Sequence, residues 1–162
     1  MVINFAKMHP DVIMPSKRDE DGCLDIYAFF EEDSIVIQPH ETKLIPTGLK
    51  SAFSPSYQVF LKERGSTGVK GIGQRAGVID SGYRGEWLVP ITNHNDRPVI
   101  IIKKECLHEK ASGGCIIYPY EKAICQAAII PVPPVTIVPV SEEIIMGMES
   151  QRGEGKLGSS GK

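Results

Sequence analysis

The sequence carries no excess of one charge: 18 Lys and Arg stand against 20 Asp and Glu, a formal net charge of −2. Bulk binding of duplex nucleic acid normally shows as a strong basic excess, so that function class is disfavoured at once. The four cysteines, Cys23, Cys106, Cys115 and Cys125, include no pair with the two-residue gap of a zinc knuckle or redox motif. Long hydrophobic runs are missing as well. The longest, 127–135, is interrupted by three prolines and falls far short of the ~20 residues a membrane-spanning helix needs. The opening residues MVINFAKMHPD have no basic stretch leading into an apolar one, so no secretory signal is expected. A cytoplasmic protein with reduced thiols is the economical expectation. No Gly-Lys pair precedes Ser or Thr, which removes a Walker A loop.

Leucine and alanine are scarce too, at 7 and 8 residues, whereas isoleucine and valine number 20 and 12. Sixteen glycines and twelve prolines add further helix breakers. A helical bundle is excluded, because β-branched side chains suit a pleated, half-buried surface. Short apolar runs separated by turn residues predict many short strands: 23–30, 34–38, 42–45, 57–62, 87–92, 99–103 and 123–130. In 87–92, Trp87, Val89 and Ile91 alternate with Leu88, Pro90 and Thr92. Proline cannot donate to a ladder, so Pro90 predicts an edge or bulge there. Only 16–21 and 141–148 could hold a helical turn.

Two regions stand apart. Seven of the sixteen glycines lie between Gly65 and Gly85, interleaved with Arg64, Lys70, Arg75, Asp80 and Arg84. Closely approaching backbone N–H groups beside cations compose a polyphosphate cradle, although glycine-rich loops between strands have the same composition. The last twelve residues, QRGEGKLGSSGK, hold four more glycines and almost nothing apolar. Such a tail cannot offset its own ordering entropy by burial, yet Arg152 with Ser159 and Ser160 could clamp phosphate oxygens. It follows the proline-rich stretch PVPPVTIVPV, which favours extended chain.

Taken in order, five motifs resemble those of the trimeric dUTPase family: LDIYA at 24–28, ERGSTGVKG at 63–71, AGVIDSGYRGE at 76–86, AICQ at 123–126 and RGEGKLGSSG at 152–161. The third is the most specific. The resemblance implies an all-β fold, a jelly-roll-like distorted β-barrel, assembled as a homotrimer whose sites are shared between subunits. It implies a core of 1–150, with the proline-rich linker and strand-exchange segment at 131–150, and a flexible arm at 151–162. The implied activity is hydrolysis of dUTP to dUMP and pyrophosphate, limiting uracil in DNA and supplying dUMP for thymidylate synthesis.

Site residues follow from the same resemblance. Asp80 would be the general base aligning water for attack on the α-phosphorus, with Gln126 bonding phosphate or that water. Arg64, Gly65 and Ser66 would bind phosphates, and Arg152, Ser159 and Ser160 of the arm would close on the γ-phosphate. Gly77, Val78 and Ile79 would read uracil through the backbone, Gln74 would add an amide contact, and Tyr83 would pack on the deoxyribose and exclude a 2′-hydroxyl. Mg²⁺ would bridge the phosphates, with Asp25 holding it through water. A strand carboxylate among apolar residues is otherwise costly, which singles out Asp25. On their own residues, Asp80 reads more readily as a turn aspartate and Tyr83 as a half-buried sheet tyrosine.

The chain departs from the family pattern in four places. Gly65 replaces a serine, Leu157 an aromatic residue of the arm and Ala123 an arginine. The segment 103–120 is longer than usual and predicts an exposed hairpin or loop. A dCTP deaminase shares the fold but needs a glutamate near Pro90, where proline cannot shuttle protons. A non-enzymatic β-sandwich module is the rival of another class. No membrane partner is expected, and nothing in the residues speaks to a protein regulator.

Overall fold

The computed structural model describes residues 1–107 and 114–155. Among these residues twelve strands form: β1 (Ile3–Lys7), β2 (Cys23–Ile26), β3 (Ser34–Ile37), β4 (Thr42–Pro46), β5 (Leu49–Phe53), β6 (Tyr57–Lys62), β7 (Ile72–Gln74), β8 (Val78–Ile79), β9 (Leu88–Asn93), β10 (Val99–Ile102), β11 (Ile116–Pro119) and β12 (Cys125–Pro131). They make four ladders, β1-β5, β11-β10-β3, β2-β12-β6-β8 and β4-β9-β7. The architecture is all-β and jelly-roll-like, and no ladder closes on itself among the described residues.

Alternation explains which faces turn inward. Val59 and Leu61 of β6, Val89 and Ile91 of β9 and the adjoining Trp87 are buried, whereas Leu88 is 38% exposed. They meet Ile26, Ile37, Ile45, Val99 and Ile101 in one core. The Trp87 indole N–H donates to Ser51 Oγ at 3.0 Å, so its burial leaves no polar atom stranded. Asn93 is fully buried and donates its side-chain amide to the carbonyls of Ile37, Gln38 and Arg97, tying two ladders together.

Three expectations are corrected. Pro90 does not lie on an edge strand, since β9 runs between β4 and β7. Its carbonyl accepts from Arg75 N at 2.9 Å. The missing N–H faces the same side and leaves Arg75 O without its ladder donor, and that carbonyl accepts instead from the Gln74 side-chain amide at 2.8 Å. For the long segment 103–120 the hairpin alternative fails, since β11 pairs parallel to β10, which demands a crossover; the loop alternative falls partly on residues 108–113, outside the described residues. The 16–21 stretch forms turns without a helix, while short helices occur at Glu142–Met146, as expected, and at Gly65–Gly68, which was not. No helix among the described residues is long and apolar enough to cross a membrane.

The order β2-β12-β6-β8 positions the chemistry. Asp25 lies opposite Gln126 on β12, and Gln126 lies opposite Lys62 at the end of β6. Cross-strand partners share a face. Arg64 follows two residues later, while β8 pairs with the other half of β6, through Val59 with Ile79.

Candidate active site

Two cavities hold the predicted residues. The larger, of about 730 Å³, is lined by Asp25, Arg64, Gly65, Ser66 and Gln126, together with Ser16, Lys17, Arg18, Asp21, Gly22 and Cys23. Arg64 is its centre. Its Nε sits 3.0 Å from Asp25 Oδ1, one terminal nitrogen donates to Asp25 Oδ2 at 3.2 Å and the other to Ala123 O at 3.2 Å. The guanidinium is therefore oriented by a carboxylate before any ligand arrives, and it can turn remaining donor capacity to phosphate. Thr67 closes the chain just behind it, accepting from Arg64 N and donating to Arg64 O. The resulting turn Gly65–Gly68 leaves the N–H groups of Gly65 and Ser66 at its first turn, where no intrahelical acceptor exists. A backbone donor thus stands at residue 65, where the expected serine is absent. Gln126 donates its amide to Glu63 O at 2.9 Å, fixing which end of the amide it can offer.

Tyr118 takes part in the same arrangement without having been flagged by the sequence. Its hydroxyl donates to Ala123 O at 2.5 Å, sharing that carbonyl with Arg64. Burial pushes the phenol above its usual pKa, so it stays a neutral donor.

The second cavity, of about 250 Å³, is lined by Gly77, Val78, Ile79, Asp80, Tyr83, Leu88 and Pro90, with Ala76 and Glu86. Ala76 at φ 49° and Gly77 at φ 126° carry the chain from β7 across to β8. A side chain at 77 would collide with Leu61 and Gln74, while the Gly77 carbonyl accepts from Leu61 N at 2.7 Å. The Tyr83 amide donates to Asp80 O at 3.1 Å, making the turn that presents the exposed Asp80 carboxylate. Tyr83 folds over Gly85, where any Cβ would strike its ring, and its hydroxyl donates to Glu86 O at 3.0 Å. Arg84 braces this turn, donating to Ser81 O and Ser51 O, so it is committed to backbone.

The predicted residues thus fall into two groups. Asp25, Arg64, Gly65, Ser66 and Gln126 come together, and so do Gly77, Val78, Ile79, Asp80 and Tyr83. Gln74 lines neither cavity; its amide donates to Arg75 O at 2.8 Å and to Ala76 O, bracing the loop. Arg152 stands apart, exposed and donating to Gly155 O at 3.1 Å. Ser159, Ser160 and Leu157 lie outside the described residues. Sequence reasoning missed Leu88 and Pro90 as apolar walls, and Lys17 and Arg18 as cations on the cleft. The only signal for the last two was a basic pair just ahead of the LDIYA segment.

Among the described residues no three His, Cys, Asp or Glu side chains gather to hold a cation. Asp25 and Asp21 both line the cleft, and each is already paired with an arginine, Arg64 and Arg18. That donor set fits a hard ion such as Mg²⁺ carried mainly by phosphate oxygens and water, with Asp25 as a partner to one water.

The dUTPase family profile matches residues 10–108. The chain belongs to the dUTPase family. Among named deoxyuridine 5′-triphosphate nucleotidohydrolases, that of Neisseria meningitidis serogroup A is 34% identical over 155 residues, covering 93% of this chain and 89% of the relative. That of Nautilia profundicola is 30% identical over 166 residues and covers both chains completely. In fold, the chain is similar to a mutant dUTPase of Staphylococcus bacteriophage 80alpha solved with dUpNHpp. The TM-score is 0.78 at 22% identity, with 99% of each chain covered.

Proposed function

We propose that this dUTPase-family enzyme hydrolyses dUTP to dUMP and pyrophosphate, at a site completed between subunits of a homotrimer. The observation that carries the proposal is the division of labour between the cavities. One is a pocket walled by Leu88 and Pro90 beside the 77–79 backbone, suited to a flat base with its sugar. The other is a cationic cleft with Arg64 pre-oriented for phosphate. Ile79 pairs with Val59, and Arg64 lies five residues further along the same strand direction, or about 16 Å at ~3.3 Å per residue. One subunit's Asp80 thus lies toward the opposite end of β6 from its own phosphate cleft, which favours a neighbour supplying the other half. Residues 132–148 support the same assembly, since Val135, Ile137 and Val138 are 77%, 89% and 67% exposed on extended chain. On this view 1–150 is the core with its 131–150 exchange segment, and 151–162 the arm.

In the completed site the backbone of Gly77, Val78 and Ile79 reads uracil, and Tyr83 covers the deoxyribose. Arg64, Gly65 and Ser66 hold phosphate oxygens, and Arg152 with Ser159 and Ser160 closes on the γ-phosphate. Asp80 accepts one proton from a water whose oxygen attacks the α-phosphorus. The bond from that phosphorus to the bridging oxygen breaks, and pyrophosphate departs with the electron pair. Gln126 helps orient the water or an α-phosphate oxygen. Bound Mg²⁺ would neutralise phosphate charge as a Lewis acid, with Asp25 holding one of its waters. Orientation of water by a fixed carboxylate contributes much of the rate.

Pyrophosphate release is measured with dUTP, dTTP, dCTP and UTP side by side in Mg²⁺. A large preference for dUTP is expected, and Asp80→Asn should lower kcat by ~10²-fold or more. Ammonia release from dCTP would favour a deaminase instead. Pro90, which walls the base pocket, offers no proton-transferring group for that reaction. Binding of dUTP with no turnover by the wild-type protein would leave a non-enzymatic module.

A further inference from the structure

The phosphate cleft has a wall that none of the five motifs supplies. Ser16, Lys17, Arg18, Asp21 and Gly22 line it opposite Arg64 and Gln126. This loop is built, not loose. Ser16 exchanges both backbone bonds with Asp25, at 2.7 and 3.3 Å, and its hydroxyl meets the Tyr27 hydroxyl at 2.9 Å. Asp21 then gathers the loop onto itself. Its Oδ1 accepts from an Arg18 terminal nitrogen at 2.9 Å and its Oδ2 from the Arg18 amide at 2.9 Å. Arg18 Nε lies 3.2 and 3.1 Å from the two oxygens. The Lys17 ammonium donates to Asp21 O at 2.8 Å.

We propose that Lys17 and Arg18 are substrate-contacting residues that hold the pyrophosphate portion of the nucleotide, an assignment that rests on the dUTP reading of this cleft. Three cations, Lys17, Arg18 and Arg64, face two anions, Asp21 and Asp25. Each arginine is already paired with one aspartate, so Lys17 is the cation without a carboxylate partner among those lining residues. Its single contact to a carbonyl leaves ammonium donors for a polyphosphate. Arg18 uses Nε and one terminal nitrogen on Asp21, and its other terminal nitrogen is left to turn toward the cleft. The loop is anchored to the same residue, Asp25, that orients Arg64. Both walls therefore hold a common spacing, and a chain of phosphates can bridge from one to the other. A cavity of about 730 Å³ has room for this, whereas a single phosphate would leave one wall without contact.

The test titrates inorganic pyrophosphate and, separately, dUMP into the full-length protein in Mg²⁺ by calorimetry, alongside steady-state kinetics with dUTP. Lys17→Ala combined with Arg18→Ala should weaken pyrophosphate about tenfold and raise KM for dUTP by a similar factor. The value of kcat should stay within about twofold, and dUMP affinity should not change, since dUMP lacks the distal phosphates. Lys17→Arg with Arg18→Lys, which keeps both charges, should recover most of the loss. Lys17→Ala alone, which leaves the Arg18–Asp21 pair intact, gives a reading even if the double variant melts early. Unchanged pyrophosphate affinity in these folded variants, or equal losses for dUMP and pyrophosphate, would overturn the proposal. The pyrophosphate titration needs no turnover, so inactivity of the wild-type protein on dUTP would count against the activity and not against the loop.

Discussion

Gly77→Ala should cost this protein several kcal/mol, while Gly82→Ala in the same segment should cost almost nothing. Residue 77 sits at φ +126°, and a methyl there would stand 2.7 Å from Leu61 Cβ and 2.8 Å from Gln74 Nε2. The positive φ alone costs ~1–3 kcal/mol for a residue with a Cβ. Leu61 is 2% exposed in the core and cannot retreat freely, so overpacking adds ~1–3 kcal/mol. At ~2–4 °C per kcal/mol for a domain near this size, the melting temperature should fall by roughly 5–20 °C. Residue 82 has nothing within 4 Å and an ordinary φ, so its substitution should stay within ~0.5 kcal/mol. Calorimetric unfolding of both variants reads the difference directly. The same samples should separate in activity, because displacing Gly77 also moves the backbone lining the smaller cavity, where the proposed function seats the base. A Gly77→Ala protein melting with the wild type would refute the argument, as would an equal drop for Gly82→Ala.

Thiol chemistry should divide the cysteines by environment. Burial pushes the Cys125 thiol up to about 12, so at pH 8 it remains neutral and should resist iodoacetamide in the native state. Cys23, half-buried on the larger cavity, should alkylate well before Cys125, as read by peptide mass spectrometry; early labelling of Cys125 would contradict the buried position. The Arg18–Asp21 pair should show in acid. Hydrogen bonds from Arg18 hold the Asp21 carboxyl down to about 2 from 3.8. A depressed carboxyl stabilises the folded loop above about pH 4, and that contribution disappears as the pH falls through about 2. Carboxyl carbon NMR should find the Asp21 midpoint near 2, and Arg18→Ala should return it toward 3.8; a midpoint already near 3.8 in the wild type would exclude the pairing.

Much of this molecule was legible before any fold was drawn. An excess of isoleucine and valine over leucine and alanine announced a sheet protein, because β-branched side chains favour pleated backbone locally. Tyr57–Lys62 emerged with its predicted bounds, since Val59 and Leu61 alternate with less buried neighbours. The resemblance of five ordered motifs to the dUTPase family singled out Asp25, Arg64 and Asp80 without reference to neighbours in space. What pairing decides was hidden. β1 and β5 find each other across some forty residues, and β11 joins β10 in parallel, because ladder hydrogen bonds reward partners wherever the chain brings them. Pro90 sits inside a three-stranded sheet because the Gln74 side chain supplies the donor that Arg75 O would otherwise lack.

The site shows the same boundary. The chain order supplied the residue types that phosphate and uracil chemistry require, and local glycine geometry bent the turn around Asp80. Only the register of β2 against β12 and β12 against β6 placed Asp25, Gln126 and Arg64 on one cleft. The two bonds between Ser16 and Asp25 brought Lys17 and Arg18 to its opposite wall. Those contacts join segments far apart along the backbone. Their energies depend on distance through space, which no local pattern of residues records.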